Sequence, residues 1–341
     1  MQGAKEKALR AAKLAIVNLG RFAVNLAFVF AFQTLFGMSN ILVGVAIGVG
    51  FTTLPKMDLG VRPGVMAAIV LALYTGAGLL GQTALLPIWA ALPLNFLFVA
   101  AILLFSGEPV SLKPSISFLL CFVFAQATPV PWAQYPTRLA GTLAAGGVVA
   151  AVCLLGWKKY GCQGTRSLRS QLALCARSRS YILRMSLGIA AAMGIGMALH
   201  LKKPLWISIV VMSLTQIKIE ETFERIRYRF VGTLVGIVGF VVLMQLLVPA
   251  KYASLAILVL GYLSFFTPEY KHKQVVNAIS AINASLVLLD PSSAIANRLL
   301  CLAGGILIVL VMWLLEHRAK HALHFLRRHS AQSGRPGRNA A

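Results

Sequence analysis

Four arginines lie where long apolar stretches of the chain begin or end, and their guanidinium groups are the side chains best suited to bind a ligand. They are Arg62, Arg138, Arg229 and Arg298. A guanidinium keeps its charge at physiological pH, and it can bind the oxygens of an organic anion. An arginine at a helix end can equally anchor that end among lipid headgroups. The sequence leaves both roles open for each of the four.

Three carboxylates and two threonines are further candidates for the path or gate of a ligand. Glu108, Glu221 and Glu269 fall at the ends of apolar stretches, beside lysines and arginines with which they can pair. Because Glu108 and Glu269 occupy matching places in the two halves of the chain, gating is a second interpretation for them. Thr142 and Thr233 each follow an arginine by four residues, and each hydroxyl can bond across a helix contact.

No Asp or Glu lies deep within an apolar stretch. A relay of carboxylates at the membrane midplane, which is common in proton-driven carriers, therefore has no evident members. Export of an anion does not require one, because a negative interior drives each unit charge outward by about 2.3 kcal/mol per 100 mV.

The elements that must position these side chains are membrane helices. The chain has 341 residues, of which 58% are hydrophobic and 12% charged, and its mean hydropathy is +0.80. Uncharged windows such as 65–87 and 231–250 are long enough to cross a hydrocarbon layer of about 30 Å as helices. The sequence predicts an all-α polytopic membrane protein of about 12 transmembrane helices, near 18–37, 40–55, 63–81, 84–106, 114–129, 136–156, 181–199, 204–217, 229–248, 252–267, 274–289 and 295–315.

The positions of the basic residues set the orientation of these helices. With the N-terminus inside, 27 of the 32 Lys and Arg fall in cytoplasmic segments, as the positive-inside rule expects. Both termini are therefore predicted to be cytoplasmic. The net charge of +23 lies between the apolar spans rather than on a soluble surface, and this distribution argues against a nucleic-acid partner.

Internal repetition predicts two parallel six-helix repeats. Phe105-Ser-Gly-Glu108 and Phe266-Thr-Pro-Glu269 lie 161 residues apart, and Arg138 and Arg298 lie 160 apart. Similar offsets indicate a duplication, and an even number of helices gives both halves the same orientation. The predicted divisions are a cytoplasmic N-terminal segment (1–17), the first repeat (18–156), a basic cytoplasmic linker (157–180), the second repeat (181–315) and a basic cytoplasmic tail (316–341).

The sequence predicts no cofactor and no metal site. The five cysteines contain no C-x-x-C pair, which argues against zinc and against disulfides. In the tail, His317, His321 and His324 share one helical face, so a metal site is conceivable there. A basic amphipathic helix lying on anionic membrane lipids is the favoured interpretation of that segment.

The most informative motif runs from Lys203-Pro-Leu-Trp206 to Arg229-Phe-Val-Gly232-Thr233-Leu-Val-Gly236. Gly232 and Gly236 lie on one helical face and would allow close helix packing. This stretch resembles the fusaric acid resistance family, which includes the aromatic acid exporters and lies near plant malate-channel proteins. The first half echoes it in Arg138, Gly141 and Thr142. It has Ser39-Asn40 in place of the Pro-x-Trp motif, and the linker is shorter than in many relatives.

The resemblance implies a multi-pass secondary transporter of the bacterial inner membrane. It would export small organic anions, such as aromatic acids or related toxic compounds, with a periplasmic membrane-fusion adaptor as partner. A passive anion channel of the same fold is the alternative. A membrane-embedded transferase is disfavoured, because no histidine or H-x4-D cluster lies at membrane depth. A homo-oligomer is left open.

Overall fold

The structure, a computed structural model, describes residues 2–199, 201, 203–266, 269–286 and 289–333. Side chains are described within these ranges from residue 12 to residue 320, except at residue 250. The predicted outside positions His200 and Lys202 lie outside the described residues, as do the side chains of His321 and His324.

Helices make up the described secondary structure, apart from one isolated parallel bridge between Val61 and Arg166. Each of the twelve predicted spans overlaps an α-helix, and one further helix, α7, lies in the predicted linker. The described helices are α1 (Gln2–Phe36), α2 (Ile41–Thr53), α3 (Pro63–Leu80), α4 (Ile88–Ser106), α5 (Ser115–Ala127), α6 (Tyr135–Gly156), α7 (Leu168–Cys175), α8 (Arg179–Ala198), α9 (Leu205–Leu214), α10 (Ile219–Phe240), α11 (Ala253–Leu263), α12 (Tyr270–Ser285) and α13 (Pro291–Ser333).

Eight helical segments among the described residues are long and apolar enough to cross a membrane. The chain is therefore a multi-pass membrane protein. The eight segments are Ala12–Phe36, Met38–Lys56, Pro63–Leu85, Ile88–Ser106, Trp132–Gly156, Leu168–Ala198, Ile219–Leu247 and Pro291–Lys320.

Four of the predicted spans are too short or too polar to match a full membrane crossing. Helices α5, α9 and α11 are apolar but have only 13, 10 and 11 residues, whereas a crossing takes about 20. Helix α12 begins with Tyr-Lys-His-Lys-Gln and also carries two asparagines. Helices α5 and α9 are largely buried, so neighbouring helices rather than lipid surround them and their length need not match the hydrocarbon layer.

Close helix contacts build the first half of the chain. Helix α3 packs along α6, and α2 packs against α5. The contact of α3 with α6 is tight because Gly78 leaves room for the Thr142 side chain and Gly146 leaves room for Tyr74. Gly50 of α2 lies against the same buried Tyr74 hydroxyl. Small residues thus set the distance between these helices, as they commonly do in membranes.

The two halves of the chain share one apolar core. Helix α4 of the first half packs along α8 of the second, and α8 packs with α9 and α13. The buried residues of α2 to α6 and of α8, α9 and α13 form one continuous cluster. Helices α10 and α12 pack against each other and form a separate smaller cluster around Phe240, Ile279 and Ile282.

The linker is fastened to the loop between α2 and α3. The Asp58 carboxylate accepts a hydrogen bond from the backbone N–H of Gln163 at 2.8 Å, and Arg62 Nε donates to the Thr165 carbonyl at 3.2 Å. Backbone hydrogen bonds between Arg166 and residues 60 and 62 complete the contact. The predicted linker is therefore an ordered element, although it has only one short helix.

Two glycine substitutions test the packing of α10 on α12. A Cβ at Gly236 would lie 2.5 Å from Ala278 Cβ and 2.9 Å from the Val275 carbonyl oxygen, whereas a Cβ at Gly147 in α6 meets nothing within 4 Å. We expect Gly236→Ala to destabilise the protein by about 1–3 kcal/mol. Gly147→Ala, the matched control, should be neutral or slightly stabilising because alanine favours helices. Thermal unfolding in detergent measures both, and equal effects would contradict this packing.

Candidate functional site

Arg138 is a buried arginine whose guanidinium is fully engaged by the protein. Only 1% of the residue is exposed. Its Nε donates to Asn40 Oδ1 at 2.7 Å, Nη1 to the Ala125 carbonyl at 3.0 Å and Nη2 to the Ser39 carbonyl at 3.2 Å. These acceptors belong to the start of α2 and to α5. Arg138 therefore joins three helices of the first half, and its guanidinium has little capacity left for a ligand.

Arg298 occupies the corresponding place at the start of α13 but has different contacts. It is 4% exposed, and its guanidinium lies over the ring of Trp206, 5.0 Å from the ring centroid. Its Nε is buried without a hydrogen-bond partner. A cation over an indole face is stabilised by the ring quadrupole, but the unused N–H group can still donate to an anion.

Arg229 lies in α10 and is 3% exposed. Its Nη1 donates to Ser213 Oγ at the end of α9, and its Nε is buried without a partner. The Tyr270 hydroxyl lies 3.4 Å from the same serine oxygen. Arg225, one turn earlier, donates to the Ser213 carbonyl and lies over the Tyr270 ring at 4.6 Å. These contacts bring α9, α10 and α12 together around Ser213.

We call these residues, with Gln274 and Arg298, the basic cluster: Ser213, Arg225, Arg229, Tyr270, Gln274 and Arg298. Gln274 is 4% exposed, and its Oε1 atom has no partner. The positive charges of Arg229 and Arg298 act on each other. Among the described residues, no carboxylate pairs with either arginine. Buried charge of one sign with unused N–H donors is an arrangement that a bound anion would neutralise.

A polar contact joins the two halves next to this cluster. Lys113, in the loop before α5, donates from Nζ to Gln216 Oε1 at 2.8 Å. Burial lowers the pKa of Lys113, with a further lowering by the charge of Arg225, and Glu221 partly opposes the shift. Arg184 of α8 holds the same turn by donating to the carbonyls of Gln216 and Ile217. The turn between α9 and α10 therefore links the basic cluster to the first half.

The candidate carboxylates are far less alike than their positions suggest. Glu108 accepts a hydrogen bond from Ser178 Oγ at 3.4 Å and so faces the linker. Glu269 is exposed and pairs with Lys271 at 2.9 Å, which lowers its pKa. Glu221 is exposed on α10. Among the ion pairs and hydrogen bonds of the described residues, none joins Glu108, Glu221 or Glu269 to Arg229 or Arg298.

The two copies of the R-x-x-G-T motif lie on different helices, α6 and α10, and pack against different partners. Both threonines are buried, and Thr142 Oγ1 bonds the Leu139 carbonyl at 3.1 Å. Gly141 lies against Phe36 and Phe32 of α1, and Gly232 and Gly236 lie against α12. Each motif therefore sets a close helix contact one turn after a buried arginine.

The sequence did not single out Ser213, Tyr270 or Gln274. A serine within an apolar helix and a tyrosine and glutamine in a polar helix are unremarkable by type. A usable signal was present: Tyr270 and Gln274 are four residues apart in α12, so they share the helix face that meets Gly232.

Comparison with known families matches residues 190–312 to the fusaric acid resistance protein-like family. The match covers α9 to α12 entirely, the last part of α8 and the first part of α13, and so includes every residue of the basic cluster. It confirms the resemblance for this part of the chain. No curated protein and no solved structure gives a match.

The contrast between the two buried arginines predicts opposite effects on stability. Arg138→Met removes three hydrogen bonds and leaves three acceptors unpaired, so we expect a loss of about 2–5 kcal/mol. Arg298→Met replaces a buried, unpaired charge by an apolar side chain of similar length, and we expect no loss or a gain of about 1–4 kcal/mol. Thermal unfolding in detergent compares the two variants. Equal destabilisation would show that Arg298 is also a structural residue.

Proposed function

We propose, from the match of residues 190–312 to the fusaric acid resistance protein-like family, that the chain is a secondary transporter that exports small organic anions. Aromatic acids and related toxic compounds are the proposed substrates. In this proposal the protein moves its substrate across the membrane and does not change it chemically.

The observation that carries this proposal is the buried positive charge of Arg229 and Arg298. Taking an unpaired guanidinium out of water is costly, and ionisable groups inside membrane helices commonly serve a function. Both arginines keep an unused Nε donor. An organic carboxylate would satisfy these donors with charge-assisted hydrogen bonds. Trp206 offers a ring surface beside Arg298, and Tyr270 offers one beside Arg225.

We propose further that the chain consists of two parallel six-helix repeats. Arg138 and Arg298 support this arrangement, because each lies near the start of the sixth helix of its half and each reaches the start of the second. Arg138 contacts Ser39 and Asn40 before α2, and Arg298 contacts Trp206 in α9. The packing of α4 on α8, with a smaller contact between α1 and α11, also suits two related halves.

The surroundings of the contact between halves support alternating access as the mechanism. At the predicted cytoplasmic end, Lys113 and Gln216 close the gap between the halves. Near the opposite end, a cavity of about 560 Å³ lies between them, lined by residues that include Gln126, Met197 and Pro204. Transporters with internal repeats commonly bind substrate where the two halves meet. The membrane potential favours the outward movement of an anion by about 2.3 kcal/mol per 100 mV.

A passive anion channel is the second candidate, and one observation favours it. Among the described residues, no carboxylate pairs with Arg229 or Arg298, so no group for proton coupling is evident in the basic cluster. Reconstituted protein distinguishes the two candidates: a channel gives unitary currents in a planar bilayer, whereas a carrier gives saturable flux without them.

We propose that the protein lies in the bacterial inner membrane and that its partner is a periplasmic adaptor. The described loops on the predicted outer side are short, such as 128–134 between α5 and α6. An exporter with such loops would need another protein to cross the periplasm.

The proposed orientation predicts where reporter proteins will be active. Reporters fused after Arg169 in the linker and at the C-terminus should both show cytoplasmic activity, because six crossings separate these points. A fusion between α5 and α6 serves as the control on the opposite side. Activity of the linker fusion and the C-terminal fusion on different sides of the membrane would contradict two six-helix halves.

Single substitutions in α10 and α13 test the anion site. Arg229→Gln and Arg298→Gln should each lower anion efflux from reconstituted vesicles at least about tenfold, since each removes one charge-assisted contact worth about 1.5–3 kcal/mol. Arg227→Gln is the matched control, because Arg227 is exposed on the same helix. Efflux of a labelled aromatic carboxylate measures the effect. Equal transport by all three variants would refute the anion site.

A further inference from the structure

A basic cavity lies where α8 begins and α13 leaves the helix bundle. Its volume is about 640 Å³. We call it the α8–α13 pocket, and its lining residues include Arg177, Arg179, Arg184, Glu316 and Lys320. Four of these five side chains are cationic at neutral pH, so the pocket has a strong positive potential.

One internal carboxylate already shows how this pocket binds an anionic group. Glu316 accepts a hydrogen bond from Ser180 Oγ at 2.5 Å and pairs with Arg184 at 2.8 Å and with Lys320 at 2.5 Å. Its own charge offsets only one of the surrounding cations. Arg177 and Arg179 have no ion-pair partner among the described residues, and both are exposed. A second anionic group therefore has two available partners at the edge of the pocket.

The remaining wall of the pocket is aromatic and suits a membrane interface. The rings of Trp313 and His317 stack with their centroids 5.6 Å apart, and Phe223 meets Trp313 edge-on at 5.9 Å. Tyr181 lines the same cavity. Tryptophan and tyrosine are enriched at the level of the lipid headgroups. The uncharged run 299–315 of α13 is followed by Glu316, Arg318 and Lys320, which places the pocket where a headgroup would lie.

We propose that the α8–α13 pocket binds the phosphate group of an anionic phospholipid. Arg177 and Arg179 hold the phosphate oxygens, and the ring of Trp313 faces the glycerol and upper acyl region. Free phosphate has the same charged group, but it cannot use the aromatic wall. Arg177 and Arg179 belong neither to the basic cluster nor to the contacts of Arg184 with the turn after α9, so substitutions of these two residues test the site separately from the proposed transport activity.

Titration of the full-length chain in neutral detergent tests this site. Native mass spectrometry counts the phosphatidylglycerol molecules retained, with phosphatidylcholine as the headgroup control and inorganic phosphate as the competitor. The double variant Arg177→Gln/Arg179→Gln should bind phosphatidylglycerol about 25-fold more weakly, from about fivefold per basic residue. Lys159→Gln/Arg169→Gln removes the same charge from exposed linker positions and should bind as the parent does. Equal melting temperatures of both variants confirm that they fold.

Three results would overturn the proposal. The first is equal loss of phosphatidylglycerol in both double variants, which would indicate a general effect of charge. The second is equal retention of phosphatidylcholine, and the third is complete displacement of the lipid by millimolar inorganic phosphate, which would assign the site to a soluble anion. Trp313→Ala separates these sources further, because it should weaken phosphatidylglycerol binding and leave phosphate binding unchanged. Anion efflux by the Arg177→Gln/Arg179→Gln variant should equal that of the parent.

Discussion

The shortage of negative charge is the constraint on which the rest of this structure depends. The chain has nine acidic residues against 32 basic ones, and the described contacts place several of the acids outside the helix interior. Asp58 and Glu108 bind the linker, Asp290 accepts hydrogen bonds from Ser292 and Ser293 at the start of α13, and Glu316 pairs with Arg184 and Lys320. Among the described residues, no ion pair includes Arg138, Arg229 or Arg298. These buried guanidinium groups therefore use neutral oxygens, rings or a bound anion.

The three buried arginines meet this constraint in different ways, and the difference separates structure from function. Arg138 donates hydrogen bonds to the Asn40 side chain and to two backbone carbonyls, so fixed dipoles of the surrounding helices stabilise its charge. Arg229 and Arg298 each keep an unused Nε, and they are near enough for their charges to repel. Two cations held together without a counter-ion raise the free energy of the empty site, and an anion that enters relieves it. The buried arginine of the first half therefore has a structural role, and those of the second half form the proposed anion site.

Much of the helical plan follows from apolar windows and basic loops, and the predicted spans overlap α1 to α6 and α8 to α13 for this reason. Hydropathy could not show that α5 and α9 are too short to cross on their own, because it does not show which helices are surrounded by protein. The site was partly predictable: Arg229 and Arg298 stand out by charge in an apolar setting. Arg138 differs from them because its contacts are different, and these contacts involve partners distant in sequence: Asn40 for Arg138 and Trp206 for Arg298. No local sequence pattern reveals such pairs. The linker contacts of Arg62 and Glu108 were missed for the same reason.

Ser213 connects the basic cluster to the contact between the two halves of the chain. Its hydroxyl accepts a hydrogen bond from Arg229, and three residues later Gln216 accepts one from Lys113 across the contact between halves. In the proposed mechanism, an anion bound through the unused Nε of Arg229 draws the guanidinium toward itself and so weakens the hydrogen bond from Nη1 to Ser213. Loss of that hydrogen bond frees the end of α9, and the turn that carries Gln216 follows directly from that end. Because Lys113 is half-buried and its pKa is lowered by desolvation, its ammonium gains hydration if Gln216 moves away. Under the proposed mechanism, occupancy of the site and separation of the two halves would be favoured together, which is the coupling that alternating access requires.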